Sequence, residues 1–149
     1  MQFCSFPNLK LVITRKMNIL LIEDDAIEVM KLERAISKLG VEHQLIKARD
    51  GEEALSLLQS GGALPDVVFL DLNMPKINGI DFLKILKADE RLQFLPTMIL
   101  TTSANRKDML ECYKIGVAGY LIKPLKYDDY VNKIKIALDY WSINELIDS

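Results

Sequence analysis

Asp66-Val67-Val68-Phe69-Leu70-Asp71-Leu72-Asn73-Met74-Pro75 begins as an unbroken apolar run and ends on a carboxylate and a turn. Four apolar residues without polar alternation read as a strand covered on both faces, and strands of that kind belong to parallel sheets flanked by helices. Ile19-Leu20-Leu21-Ile22 and Met98-Ile99-Leu100 have the same character. The first of these also runs straight into acid, Glu23-Asp24-Asp25.

Outward from these runs, strand and helix patterns alternate along the chain from Met17. Strands are expected over Asn18 to Ile22, Gln44 to Ala48 (with His43 in the same extended stretch, from Glu42), Asp66 to Leu70, Thr97 to Thr101 and Gly119 to Ile122. Between them the apolar spacing changes to three and four. Val29, Leu32, Ile36 and Leu39 mark one helix face, with Gly40 placed for a left-handed cap. Asp50 can cap a helix carrying Ala54, Leu57 and Leu58. Further helices are expected from about Ile80 to Ala88, from about Arg106 to Ile115 before Gly116, and along the stripe Val131, Ile134, Leu138, Trp141. Five strand-helix units with right-handed crossovers make an α/β domain with a doubly wound parallel sheet.

At 149 residues the chain has room for one domain of ordinary size. Half of its residues are apolar and 27% are charged, with 19 basic side chains against 21 acidic ones. That balance gives no field to draw it to nucleic acid or anionic lipid. Cys4 and Cys112 lack any metal-knuckle spacing and read as reduced thiols in the cytosol. His43 is the only histidine and reads as a strand residue, not a catalyst. Residues 1–16 lack a basic start, and their apolar stretch is broken by Asn8 and Lys10, so a secretory signal is not expected. They read as an N-terminal extension, or the product of an upstream start codon, ahead of a domain spanning 17–149. Only Ser142 to Ser149 follow the fifth helix, so no output domain is expected there.

In such sheets ligands bind at the carboxyl ends of the strands. Those ends carry Glu23-Asp24-Asp25, Asp71-Leu72-Asn73, Thr101-Thr102-Ser103 and Lys123-Pro124. If the first and third strands are neighbours, at least three carboxylates converge, and their repulsion calls for a hard cation such as Mg²⁺. Phosphoryl transfer needs in-line positioning and charge on the equatorial oxygens more than it needs an acid or base. Lys123 offers a point charge, Thr101 a hydroxyl and Asp71 a nucleophile that would become an aspartyl phosphate. Asp25 reads as an acid complementing a helix start, and Thr102 and Ser103 as backbone-bonding residues near another.

The runs Ile-Leu-Leu-Ile-Glu-Asp-Asp, Val-Phe-Leu-Asp-Leu-Asn-Met-Pro, Ile-Leu-Thr-Thr-Ser and Gly-Tyr-Leu-Ile-Lys-Pro-Leu together resemble those of bacterial response-regulator receiver domains. The likeness extends from Met17 to about Trp141, and the Thr-Thr-Ser run with the Lys87 to Pro96 segment looks most similar to single-domain regulators of the phytochrome-associated type. It implies a flavodoxin-like (βα)₅ three-layer sandwich with strand order 2-1-3-4-5. It also implies Asp71 as phosphoacceptor, Thr101 and Tyr120 as the switch pair, and Lys123 as the conserved lysine on a cis peptide to Pro124. The metal would be held by Asp24, Asp71 and the Asn73 backbone carbonyl, with Glu23 acting through water. The expected activity is that of a cytoplasmic phosphorelay protein. It would take phosphoryl from a sensor histidine kinase or histidine phosphotransfer protein and turn a changed face, formed by the fourth helix, fifth strand and fifth helix, to a downstream protein or a second copy. Nucleic acid and membrane are not expected partners.

Two other classes compete with this reading. A phosphatase passing through an aspartyl phosphate commonly carries a second Asp two residues after its nucleophile, where this chain has Asn73, which cannot act as acid or base. A flavin or nucleotide binder needs a Gly- or Ser/Thr-rich loop after the first strand, where Glu23-Asp24-Asp25 would repel phosphate.

Overall fold

The structure, a computed structural model, describes residues 15–147 except residue 75. Five strands, β1 (Asn18–Ile22), β2 (Gln44–Ala48), β3 (Val67–Leu70), β4 (Thr97–Thr101) and β5 (Gly119–Ile122), alternate with five helices. The helices are α1 (Ala26–Ser37), α2 (Gly51–Gln59), α3 (Gly79–Ala88), α4 (Arg106–Ile115) and α5 (Tyr127–Ser142). The strands form one parallel sheet in the order β2-β1-β3-β4-β5. This is the flavodoxin-like three-layer arrangement, with β1 and β3 adjacent, as expected.

Strand parity decides which helix each residue meets. In β1, Leu20 and Ile22 join Val68, Leu70 and Ile99 against Ala54 and Leu58 of α2, Phe82, Leu83 and Leu86 of α3 and Cys112 of α4. The residues one step away, Ile19, Leu21, Val67, Phe69, Met98 and Leu100, face Leu32, Ala35 and Ile36 of α1 and Tyr130, Ile134 and Leu138 of α5. Successive side chains of a strand point to opposite faces, so an unbroken apolar run is what two helical layers require. Each fully buried Leu, Ile or Phe contributes roughly 1.5–3 kcal/mol relative to exposure. Together these side chains make the sheet a stiff platform for its carboxyl-end loops.

Four of the five helices, α1 to α4, begin on side-chain caps, and α5 begins at Lys126 without one. Asp25 accepts from the Ile27 amide at 2.9 Å, Asp50 from Glu53 at 2.9 Å, Asn78 from Asp81 at 2.9 Å and Asn105 from both Lys107 and Asp108. Each cap satisfies amides that the helix leaves without an internal partner. The helix-start reading of Asp25 therefore holds.

Several boundaries move. Asp66 lies just ahead of β3, its carboxylate accepting from the Asn18 amide at 2.7 Å. His43 lies ahead of β2 and its Nδ1 accepts from the Met17 amide at 3.0 Å, a structural role. α1 ends at Ser37 with Lys38 as its cap, so Gly40, at φ 74°, shapes the turn beyond the helix instead of ending it. Gly116, at φ 116°, does close α4 in the left-handed region. There is no cis peptide among the described residues, which corrects the expectation at Lys123-Pro124: the lysine reaches the site across a trans bond. Cys112 is a free, buried thiol, and Cys4 lies outside the described residues.

Candidate functional site

Each acidic loop is registered by one hydrogen bond beyond its strand. The Glu23 amide donates to the Ala48 carbonyl at 3.0 Å, the Asp71 amide to the Ile22 carbonyl at 3.1 Å and the Lys123 amide to the Thr101 carbonyl at 2.8 Å. Because β1 sits beside β3, Glu23, Asp24 and Asp71 then bring a carboxylate oxygen each within 4.8 Å of one another. Glu23 and Asp71 are buried, at 4% and 8% exposure, and Asp24 is open to solvent. Asn73 is exposed two residues after Asp71, in the same loop. Three hard oxygen donors at this spacing suit a hard divalent cation such as Mg²⁺, which keeps waters and takes only a few carboxylates.

Lys123 lies deep in the cluster, its side chain 6% exposed. Its Nζ donates to Glu23 Oε1 at 2.8 Å and stands 3.1 Å from Glu28 Oε2. Among the described residues these are its ion pairs, and Asp71 is not one of its partners. The sequence reading aims Lys123 at the phosphoryl pocket; in the structure the ammonium is taken up by two glutamates on the β1-α1 side. Burial by itself would lower the Lys123 pKa, but the hydrogen bond it donates to Glu23 and the charges of Glu23 and Glu28 outweigh it and raise it. Glu23 is pushed up to about 7 by burial, against the pull of Lys123 and with a further push from neighbouring Asp71. Four carboxylates, Glu23, Asp24, Asp71 and Glu28, thus share the neighbourhood of one ammonium.

On the opposite rim Thr101 ends β4 fully buried, and its Oγ1 accepts from the Ser103 amide at 3.3 Å. The half-buried Tyr120, on β5, donates its hydroxyl to the Ser103 carbonyl at 2.9 Å. Ser103 also bonds within the start of α4, its hydroxyl 3.4 Å from Asp108 and accepting from the Asn105 amide. Thr101 and Tyr120 therefore meet through the Ser103 backbone, and Ser103 has the backbone-bonding role expected of it. Thr102 is exposed and engages nothing in the cluster.

Two residues escaped the sequence reading. Glu28 lies in the first turn of α1, where an acid looks like a partner for the helix dipole. Only the packing of α1 against α5, the helix that follows Lys123, turns it to that lysine. Gly79 opens α3 with its amide on the Leu72 carbonyl at 3.0 Å. A Cβ there would lie 2.6 Å from the Asp71 carbonyl oxygen and 2.7 Å from Leu72 Cα. The Asn78-Gly79 pair was the available signal, readable as a cap followed by a close backbone approach.

Comparison with known proteins agrees with this geometry. The sequence profile of the response regulator receiver domain matches residues 19–135. The probable methanogenesis regulatory protein FilR2 of Methanothrix harundinacea is 38% identical over 127 residues, 83% of this chain and 82% of that protein. The phosphorylated cyanobacterial phytochrome response regulator RcpA superposes with a TM-score of 0.82 at 29% identity, covering 89% of this chain and 99% of that one. The Mn²⁺-bound form of response regulator Rcp1, known from Synechocystis, gives a TM-score of 0.80 at 30% identity, covering 88% and 99%.

Proposed function

Because the chain belongs to the response regulator receiver family of two-component signalling, we propose that it is a phosphorelay receiver whose Asp71 accepts a phosphoryl group with Mg²⁺ bound. One observation carries this reading: a buried carboxylate at the end of a central strand has two further carboxylates within 4.8 Å and a buried ammonium one side chain away. The domain is taken as residues 17–149, with 1–16 as an extension. The extension lies almost wholly outside the described residues.

In the proposed step an Asp71 carboxylate oxygen attacks the phosphorus of a phosphohistidine. The new O–P bond forms as the P–N bond breaks, and the imidazole leaves with the electron pair. Asp24, Asp71 and the Asn73 carbonyl would hold Mg²⁺, with Glu23 reaching it through a water. The ion, when bound, supplies positive charge to one phosphoryl oxygen. Lys123 gives charge to a second oxygen after leaving its glutamates, and Thr101 gives its hydroxyl to the third. Catalysis here is positioning and charge, so the domain promotes its own phosphorylation and hydrolysis without a turnover enzyme's acid and base. Asn73 in place of a second acid supports that distinction.

The phosphoryl group brings about −1.5 to −2 charge in ordinary phosphoesters. Drawing Thr101 toward it pulls on Ser103, to which Tyr120 is bonded. The face of α4, β5 and α5 would then shift between two populations. Exposed Leu110, Tyr113, Ile136 and Tyr140 support that face as the contact for a downstream protein or a second copy. The upstream donor is read as a sensor histidine kinase or a histidine phosphotransfer protein, and the setting as cytoplasmic. Among the described residues no helix is long and apolar enough to cross a membrane.

The test is labelling by acetyl phosphate with Mg²⁺, followed by intact mass. Wild type gains one phosphoryl group and Asp71→Asn gains none. Equal labelling of the two would refute the assignment of Asp71.

A further inference from the structure

We propose that Glu28 is a positioning residue that holds the Lys123 ammonium away from Asp71 and competes for it with an arriving phosphoryl group. The inference rests on the receiver reading of Asp71 and adds a regulator of that same site.

Glu28 sits in the first turn of α1, which suits the helix dipole, but its carboxylate is turned to Lys123. Asp25 already caps α1, and Glu28 Oε2 is buried without a well-aligned hydrogen bond. Its compensation is the charge of Lys123 at 3.1 Å. Tyr130 of α5, fully buried, has its hydroxyl pKa raised first by burial and next by the charge of Glu28, which marks how far that carboxylate reaches into the α1-α5 seam. A carboxylate so placed is costly unless paired, and the pairing fixes where the lysine rests. An ammonium has three donors and no planar fork, so it can be shared between acceptors and transferred among them.

Two effects then act with the same sign. A phosphoryl oxygen must draw Lys123 off Glu28, leaving the buried Oε2 of that half-buried carboxylate less compensated. The same carboxylate also repels the incoming anion. Neutralising Glu28 removes both penalties, whereas loss of a purely supporting contact would loosen the lysine and weaken anion binding.

The experiment titrates beryllofluoride, with saturating Mg²⁺, into the full chain and follows backbone amide resonances. Glu28→Gln is expected to bind it roughly three- to tenfold more tightly than wild type, the scale of one removed charge at a half-buried site. Glu33→Gln, the same change on the exposed face of α1 where Glu33 pairs with Lys47 at 2.8 Å, should leave the affinity unchanged. In metal-free protein the Lys123 ¹⁵Nζ resonance should move with Glu28→Gln and stay with Glu33→Gln. If Glu28→Gln is poorly folded, Glu28→Met, neutral and of similar length, is held to the same criteria. Unchanged or weaker beryllofluoride affinity in a folded Glu28 variant overturns the proposal while leaving the receiver reading intact. Failure of wild type to bind beryllofluoride overturns the receiver reading itself.

Discussion

Replacing Gly79 by alanine should damage the phosphoacceptor loop while leaving the fold in place. The added Cβ would stand 2.6 Å from the Asp71 carbonyl oxygen, 2.7 Å from Leu72 Cα and 3.0 Å from Leu72 Cδ2. Two of those three atoms are backbone and cannot rotate away. Restoring ordinary contact, at about 3.5 Å between heavy atoms, requires α3 and the Asp71-Leu72 segment to separate by roughly 0.8–0.9 Å. Overpacking of this kind costs about 1–3 kcal/mol, offset by about 0.4–1 kcal/mol because alanine restricts the unfolded chain. The net expectation is a loss of up to about 2.5 kcal/mol in urea unfolding, centred on about 1.3 kcal/mol. The chemical consequence is larger, since a displacement near 1 Å can cost about a hundredfold in a reaction governed by positioning. The initial rate of labelling by acetyl phosphate should fall at least about tenfold, with native far-ultraviolet circular dichroism retained. Gly62→Ala is the control, because its Cβ would meet only Ser60 Oγ, at 3.8 Å. A Gly79→Ala protein as stable as wild type and labelled at the same rate would show that α3 does not set the position of Asp71.

Two further outcomes follow from caps and charge. Asn105→Ala removes the acceptor for the Lys107 and Asp108 amides at the start of α4; it should lower stability by about 1 kcal/mol in chemical denaturation, and no loss would mean that water replaces the cap fully. With Mg²⁺ chelated, Glu23, ordinarily at 4.5 and raised in the fold to about 7, takes up its proton more readily folded than unfolded. Its contribution is therefore fully present below about pH 4.5 and lost as pH rises through about 7. The melting temperature of wild type relative to Glu23→Gln should decline across that window, and a flat difference would contradict the assignment.

How much was legible beforehand differs from residue to residue. Ile19 to Ile22 and Val67 to Leu70 gave themselves away as central strands because burial on both faces leaves no position for a polar residue. Once these strands are neighbours, the carboxylates following them must meet, so Glu23, Asp24 and Asp71 were readable as one cluster. Lys123 was readable as a member of the site, though not in its pairing with two glutamates. Its pairing with Glu28 depends on how α1 and α5 settle against the sheet, which no local pattern encodes. Gly79 was hidden for a related reason: its constraint is the approach of two backbones, and neither segment records the other in its spacing.

By itself the sequence determined the order of elements, the parallel sheet covered on both faces and the set of groups collected at the carboxyl edge. These follow from periodicity and from strand ends, which are properties of short windows. Tertiary structure alone decided which carboxylate holds the lysine, that Ser103 joins Thr101 to Tyr120, and that Lys123 reaches inward across a trans bond. Such choices turn on distances of an ångström between groups up to a hundred positions apart in the chain, and electrostatic and hydrogen-bond energies change steeply over that length.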